Sequence, residues 1–232
     1  MRNNSFYYGN ARDGSYAYAP EGRMLGELSA RAYNLILGGT LFWGFLVNAV
    51  ICLFFSDAVF AIPPTVLLLG YLISAVVGVT MSARSASPVV SFIGYNLVVL
   101  PLGAVLTVLV SAYDPDVVLL TMLVTTVVVL GLTVLSALFP RLFLSMAPTL
   151  GITLVLVLIA NFVCALIGIA PAWLDLVVTL LFCGYIGFDY ARAQTKLKTV
   201  DNAVDSACEL YVDIVNLFMR LLAIMNRSSD RR

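Results

Sequence analysis

Seven blocks of apolar residues follow one another along the chain, with short polar connections between them. They run from about Tyr33 to Phe55, Phe60 to Ser82, Pro88 to Ala112, Asp116 to Leu138, Phe143 to Gly168, Trp173 to Tyr190 or beyond, and Ala203 to Met225. About 20 apolar residues in helical form cross a hydrocarbon core roughly 30 Å thick. Connections of about 4 to 12 residues make successive helices antiparallel neighbours. The prediction is an all-α membrane protein, a seven-transmembrane helix bundle over residues 31–227. Before it lies a tail, 1–30, that mixes Tyr, Gly, Asn and Arg and reads as disordered. After it comes a short carboxyl tail, 228–232. Pro63 and Pro88 sit where helices begin, and Pro101 falls mid-span and predicts a kink.

The seventh block differs from the rest. Asp201, Asp205, Glu209 and Asp213 recur at every fourth position, and Asn216 and Arg220 continue the row. Residues four apart on a helix drift by about 40°, so these side chains form one slowly turning polar seam. Tyr211, Val212, Ile214, Val215, Phe218 and Met219 fill the rest of the circumference. Such a seam belongs in the bundle interior.

Composition supports the membrane setting. Of 232 residues 61% are hydrophobic and 11% charged, well below the charge content of a soluble protein. Arg2, Arg12, Arg23, Arg31, Arg84, Arg141, Arg192, Lys196 and Lys198 all fall on the amino-terminal side of the predicted membrane, whereas the other loops carry Asp57, Asp114 and Asp116. The amino terminus is therefore expected in the cytoplasm. Arg227, Arg231 and Arg232 follow the last block and disagree with an outside carboxyl terminus. Two readings stay open, a seventh helix that crosses and one that enters and returns; crossing is preferred. The chain carries no apolar stretch close behind its first arginine, so a cleaved leader is not expected.

Cys52, Cys164, Cys183 and Cys208 lie within spans without paired spacing and read as small core hydrophobes. Histidine is absent, so any proton switch near neutral pH has to come from carboxyl groups. Without histidine, a metal-ligand cluster or a nucleophile motif, the chain is not expected to be an enzyme. No cofactor and no nucleic-acid partner are expected.

Charges inside spans are expensive and mark function. Asp189, near the end of the sixth block, and Asp213, in the seventh, are equidistant from position 201. An antiparallel hairpin turning near there brings both acids to one depth, about 18 Å along each helix from the turn. Two carboxyl groups in contact do not both ionise cheaply, so the pair keeps one proton. Once that proton is lost, the pair must separate, find an arginine or bind a cation, and Ca²⁺ prefers carboxylate oxygens. The other reading of Asp189 is an interfacial residue paired with Arg192 or Lys196. Asp205, Glu209 and Asn216 line the pore or its mouth, or serve as wall residues. Arg220 reads as an interface anchor, Trp43, Trp173 and Tyr33 as belt or packing residues, and Gly184 with Gly187 as a close helix contact.

The segments "GFDYARAQ" and "DNAVDSACELYVDIVNLFMRLL" resemble the Bax inhibitor motif family of membrane proteins. Ala207, Leu210, Tyr211, Asp213, Asn216, Leu217, Phe218, Leu221 and Leu222 match the pattern of its last span, and "ARAYNLILGGTL" agrees with its first. "YNLVVLPLG" departs from the family's Gly-rich third span. The resemblance implies seven helices with the last one central. From bacterial members it implies a pH-sensitive calcium leak channel gated by a di-aspartyl pair, carried over here to Asp189 and Asp213. It further implies an arginine latch, for which Arg84 is the only basic residue nearby, a bacterial inner membrane location, and a membrane protease as a partner besides lipid bilayer, Ca²⁺ and protons. A non-transporting regulator of membrane proteolysis or stress and a proton-coupled secondary transporter are the alternatives.

Overall fold

A computed structural model describes residues 27–169 and 171–229. Its order is α1 (Ala30–Phe54), α2 (Ser56–Phe60), α3 (Pro64–Arg84), α4 (Pro88–Val110), α5 (Pro115–Leu138), α6 (Pro140–Ser145), α7 (Ala147–Leu166), α8 (Ala172–Thr195) and α9 (Val200–Ser229), with no strand among the described residues. Six of these helices, α1, α3, α4, α5, α7 and α8, are long and apolar enough to cross a membrane. The seventh expected span is α9, a single helix of 30 residues, about 45 Å long at the usual rise. Two short helices, α2 and α6, occupy places where the hydrophobic pattern showed only block edges.

Local chemistry explains the breaks. Prolines open α3, α4, α5 and α6, where the missing N–H removes a donor that would have no partner. Ser29 caps α1 by accepting from the Ala32 N–H at 3.2 Å, and Thr199 does the same for α9 through the Asn202 N–H at 3.1 Å. Gly168 ends α7 with φ +71°, while Ile169 N–H reaches Cys164 O and Gly168 N–H reaches Ala165 O. That pairing is the Schellman stop, which needs a residue at ease in the left-handed region. Helix α4 continues through Pro101. The carbonyl freed by the proline's missing donor is that of Leu97, and the Ser74 hydroxyl of α3 donates to it at 2.5 Å.

The least apolar of the long helices is the most enclosed. Helix α9 packs against α1, α4, α5 and α8, so the last helix is central. One side of it joins Tyr33, Leu37 and Ile186 in a core of α1, α8 and α9. Another joins Tyr95, Val98, Val99 and Leu102 of α4. Helices α3, α5 and α7 turn leucine and valine outward, because in a bilayer the surrounding solvent is itself hydrocarbon. The small-residue contacts have defined partners. A side chain at Gly187 would run into the Phe143 ring of α6, one at Gly184 into Leu150 of α7, and Gly78 and Gly94 let α3 and α4 meet backbone to backbone.

Residues 1–26 of the expected tail lie outside the described residues. Residues 27–29 are tied down, with Leu28 N–H donating to Lys198 O at 2.6 Å. At the other end α9 continues through Ser229, two residues into the expected carboxyl tail.

Candidate functional site

The hairpin of α8 and α9 has the register anticipated from spacing. Asp189 and Asp213 meet in a side-chain hydrogen bond, and each residue is 7% exposed. A hydrogen bond between two carboxyl groups requires a proton, so this contact is made while the pair holds one. Asp213 keeps one oxygen, Oδ2, buried without a hydrogen-bond partner. Asp189 Oδ1 lies 3.1 Å from Arg192 Nη2. With one proton in the pair, the guanidinium favours the charge on Asp189 and the proton on Asp213.

An ionic layer covers this pair on the side of the α8–α9 turn. Arg192 Nη2 also reaches Glu209 Oε1 at 2.7 Å, and Lys196 Nζ reaches Glu209 Oε2 at 3.1 Å. Lys196 donates to Ser206 Oγ at 3.2 Å, and Ser206 bonds to the Tyr33 hydroxyl at 3.2 Å, which links the layer to α1. Arg192 sits over the Phe188 ring at 5.3 Å. Both readings of Asp189 are thus realised together, since it faces Asp213 and pairs with Arg192. With one proton in the pair, its single negative charge and that of Glu209 balance Arg192 and Lys196. Loss of the proton leaves one uncompensated negative charge and two carboxylates face to face.

The other acids of the row turn away, as a drift of about 40° per step requires. Asp201 accepts from the Ser91 hydroxyl of α4 at 2.7 Å. Asp205 faces Ser82 and Ser91 and holds its Oδ1 buried without a hydrogen-bond partner. Glu209 is half-buried at the mouth. Asn216 donates to Val212 O of its own helix at 2.8 Å and is not brought to the pair. Arg84 stands exposed at the end of α3, in a lateral cleft with Val76, Val77, Thr80, Met81, Ser85 and Val90. Among the described residues the ion pairs of the site run to Arg192 and Lys196 instead. In the α8–α9 connection Lys198 lies over the Tyr33 ring at 4.6 Å, and burial holds its amine below the usual lysine range, partly offset by Glu27.

Asp175 was missed in the sequence. It is 7% exposed near the start of α8. It accepts from Arg220 Nη1 at 2.9 Å and from Arg227 Nη2. Arg220 is therefore one arm of a buried ion cluster and not a free interface anchor. The signal was available, because Asp175 and Arg227 are equidistant from position 201 just as Asp189 and Asp213 are. The same contact places the end of α9 beside the start of α8, so α9 runs the whole length of its partner and does not turn back. It also gives Arg227 a counter-charge, which weakens its weight as a cytoplasmic marker.

No group of three or more acidic, histidine or cysteine side chains among the described residues could hold a metal ion. Two carboxylates fall short of the about 6–8 oxygens that a resident Ca²⁺ takes.

Comparison with known proteins adds two findings. The family model described as "Inhibitor of apoptosis-promoting Bax1" matches residues 27–230. The Arabidopsis thaliana protein LIFEGUARD 1 is 40% identical over 50 residues, 22% of this chain and 21% of that protein. That match spans about a fifth of the relative's length.

Proposed function

The chain belongs to the Bax inhibitor family, a multi-pass membrane protein by its six apolar helices, and from that premise we propose that it is a pH-sensitive leak pathway for Ca²⁺. In this reading α9 is the seventh span, the amino terminus is cytoplasmic, and the Asp189–Asp213 pair is the gate. The observation that carries it is the hydrogen-bonded carboxyl pair inside the bundle, under an ionic layer whose charges balance only while the pair holds one proton.

The mechanism follows from that balance. With the proton present, Asp189 and Asp213 hold α8 and α9 together, and fully buried Ile186 and Leu217 fill the seam beside them. This is a closed state. A rise in pH removes the proton, and repulsion between the two carboxylates drives the helices apart at that level. The same two carboxylates then offer oxygen ligands to a passing divalent cation. Calcium is the cargo here, bound in transit.

The test is Ca²⁺ entry into liposomes containing the purified protein between about pH 6 and 8. Wild type should conduct more as pH rises, and Asp189→Asn and Asp213→Asn should lose that rise. Absence of flux, or an unchanged pH response in both variants, would overturn the leak reading.

A further inference from the structure

The charge cluster at the far end of the same hairpin extends this reading: we infer that Asp175, with Arg220 and Arg227, is a second gate on the cation route. The inference rests on the leak function proposed above. Asp175 and Asp189 are separated on α8 by the same number of residues as Asp213 and Arg227 on α9. That interval is close to four helical turns, about 21 Å along the axis. Both ion clusters therefore lie on one face of each helix, along one seam, at opposite ends of the bundle. Arg220, two turns beyond Asp213, falls on the same face of α9. Between the clusters the seam is closed by buried aliphatic side chains, Ile186 and Leu217 among them.

The far cluster is built to exclude cations. Each oxygen of Asp175 accepts from a different arginine, and among the described residues two guanidinium groups outweigh the one carboxylate of this cluster. A cation arriving along the seam meets net positive charge. Removal of the arginines reverses the situation and leaves one carboxylate at this end of the route, level with the start of α8. The arginines are about one-third exposed at their side chains, so they are able to swing toward water while Asp175 stays in place. Buried ion pairs contribute little net stability for the desolvation they require, and intramembrane charge is a mark of function.

The experiment measures Ca²⁺ entry into liposomes holding the full chain, with hydrogen exchange of residues 172–178 and 222–229 read by mass spectrometry. Arg220→Gln and Arg227→Gln should each raise entry, and the double variant should raise it tenfold or more at the pH where wild type leaks. Asp175→Asn added to the double variant should abolish most of that gain, because the carboxylate at that end of the route is gone. Arg227→Lys keeps the charge and should conduct as wild type does. Exchange at both helix ends should quicken in the double variant, whereas the segments around Asp189 and Asp213 keep their protection.

Wild-type entry in the double variant with unchanged exchange overturns the second gate, as does a gain that survives Asp175→Asn. Entry as high in Arg227→Lys as in Arg227→Gln overturns it too. If wild type conducts and Asp213→Asn removes its pH response while the arginine variants change nothing, only this gate fails. If no protein in the set conducts, the leak reading fails and the gate with it.

Discussion

Asparagine at position 213 keeps the size of the carboxyl group and its hydrogen bond to Asp189 but does not ionise. Asp213→Asn therefore fixes the pair in its one-proton charge state at every pH. In the native protein, loss of the proton sets two negative charges about 4 Å apart, which at an effective dielectric near 20 is about 4 kcal/mol of repulsion. Arg192 and Lys196 offset part of this, and both are partly solvated, so a net of about 2–4 kcal/mol remains. The sign is set by the native state: only there are the two groups in contact, so proton loss destabilises the folded bundle and stability falls as pH rises. In a chain of this size about 2–4 kcal/mol corresponds to about 5–15 °C in Tm. Thermal unfolding in detergent between about pH 6 and 8.5 should give a falling Tm for the native protein and a flat one for Asp213→Asn, with the two alike at the acid end. Parallel curves would show that no proton is shared between these carboxyl groups. So would a variant markedly less stable at acid pH, because the hydrogen bond would then not be one that an amide can replace.

The two acids of the pair are not interchangeable. Asp189→Asn should also flatten the pH response but should lower stability at acid pH by about 1 kcal/mol, because Arg192 loses one of its two carboxylates and is partly solvated; equal acid-end Tm values for the two variants would contradict the charge assignment. Gly44→Ala places a methyl group against the Tyr95 hydroxyl, which donates to Thr40 O at 2.9 Å, and should cost about 1–3 kcal/mol by overpacking. Tyr95→Phe removes the obstructing oxygen, so a double-mutant cycle on unfolding should show favourable coupling, and additive losses would refute the contact. Ser136→Ala removes the 2.6 Å hydrogen bond from α5 to Gly187 O on α8 and should lower stability by about 1 kcal/mol in the same assay.

Much of this protein was readable from spacing. The apolar blocks anticipated the long helices to within a few residues, and Asp189 with Asp213 followed from equal distances to a turn. The same arithmetic applied to Asp175 would have found Arg227, but an acid at the edge of an apolar block looks like an ordinary loop residue until something is seen to lie opposite it. Arg84 shows the opposite difficulty. Proximity in the chain made it the nearest basic residue to a family motif, yet it stands exposed in a lateral cleft, and Arg192, one turn beyond Asp189, supplies the guanidinium.

Along a single helix the periodicity of the chain determines rise and direction for every side chain. The depth of each carboxyl group, the turning row of acids on α9 and the carbonyl that Pro101 leaves without a donor in its own helix were therefore set by the sequence alone. Which helix stands opposite each face is decided by packing between segments far apart in the chain. Only the tertiary structure placed α9 at the centre, gave Arg192 to both Asp189 and Glu209, and closed Asp175 between two arginines. Hydropathy could not foresee it, because in a bilayer the most apolar helices are free to face lipid, whereas a helix carrying carboxylates must be enclosed by partners that satisfy them.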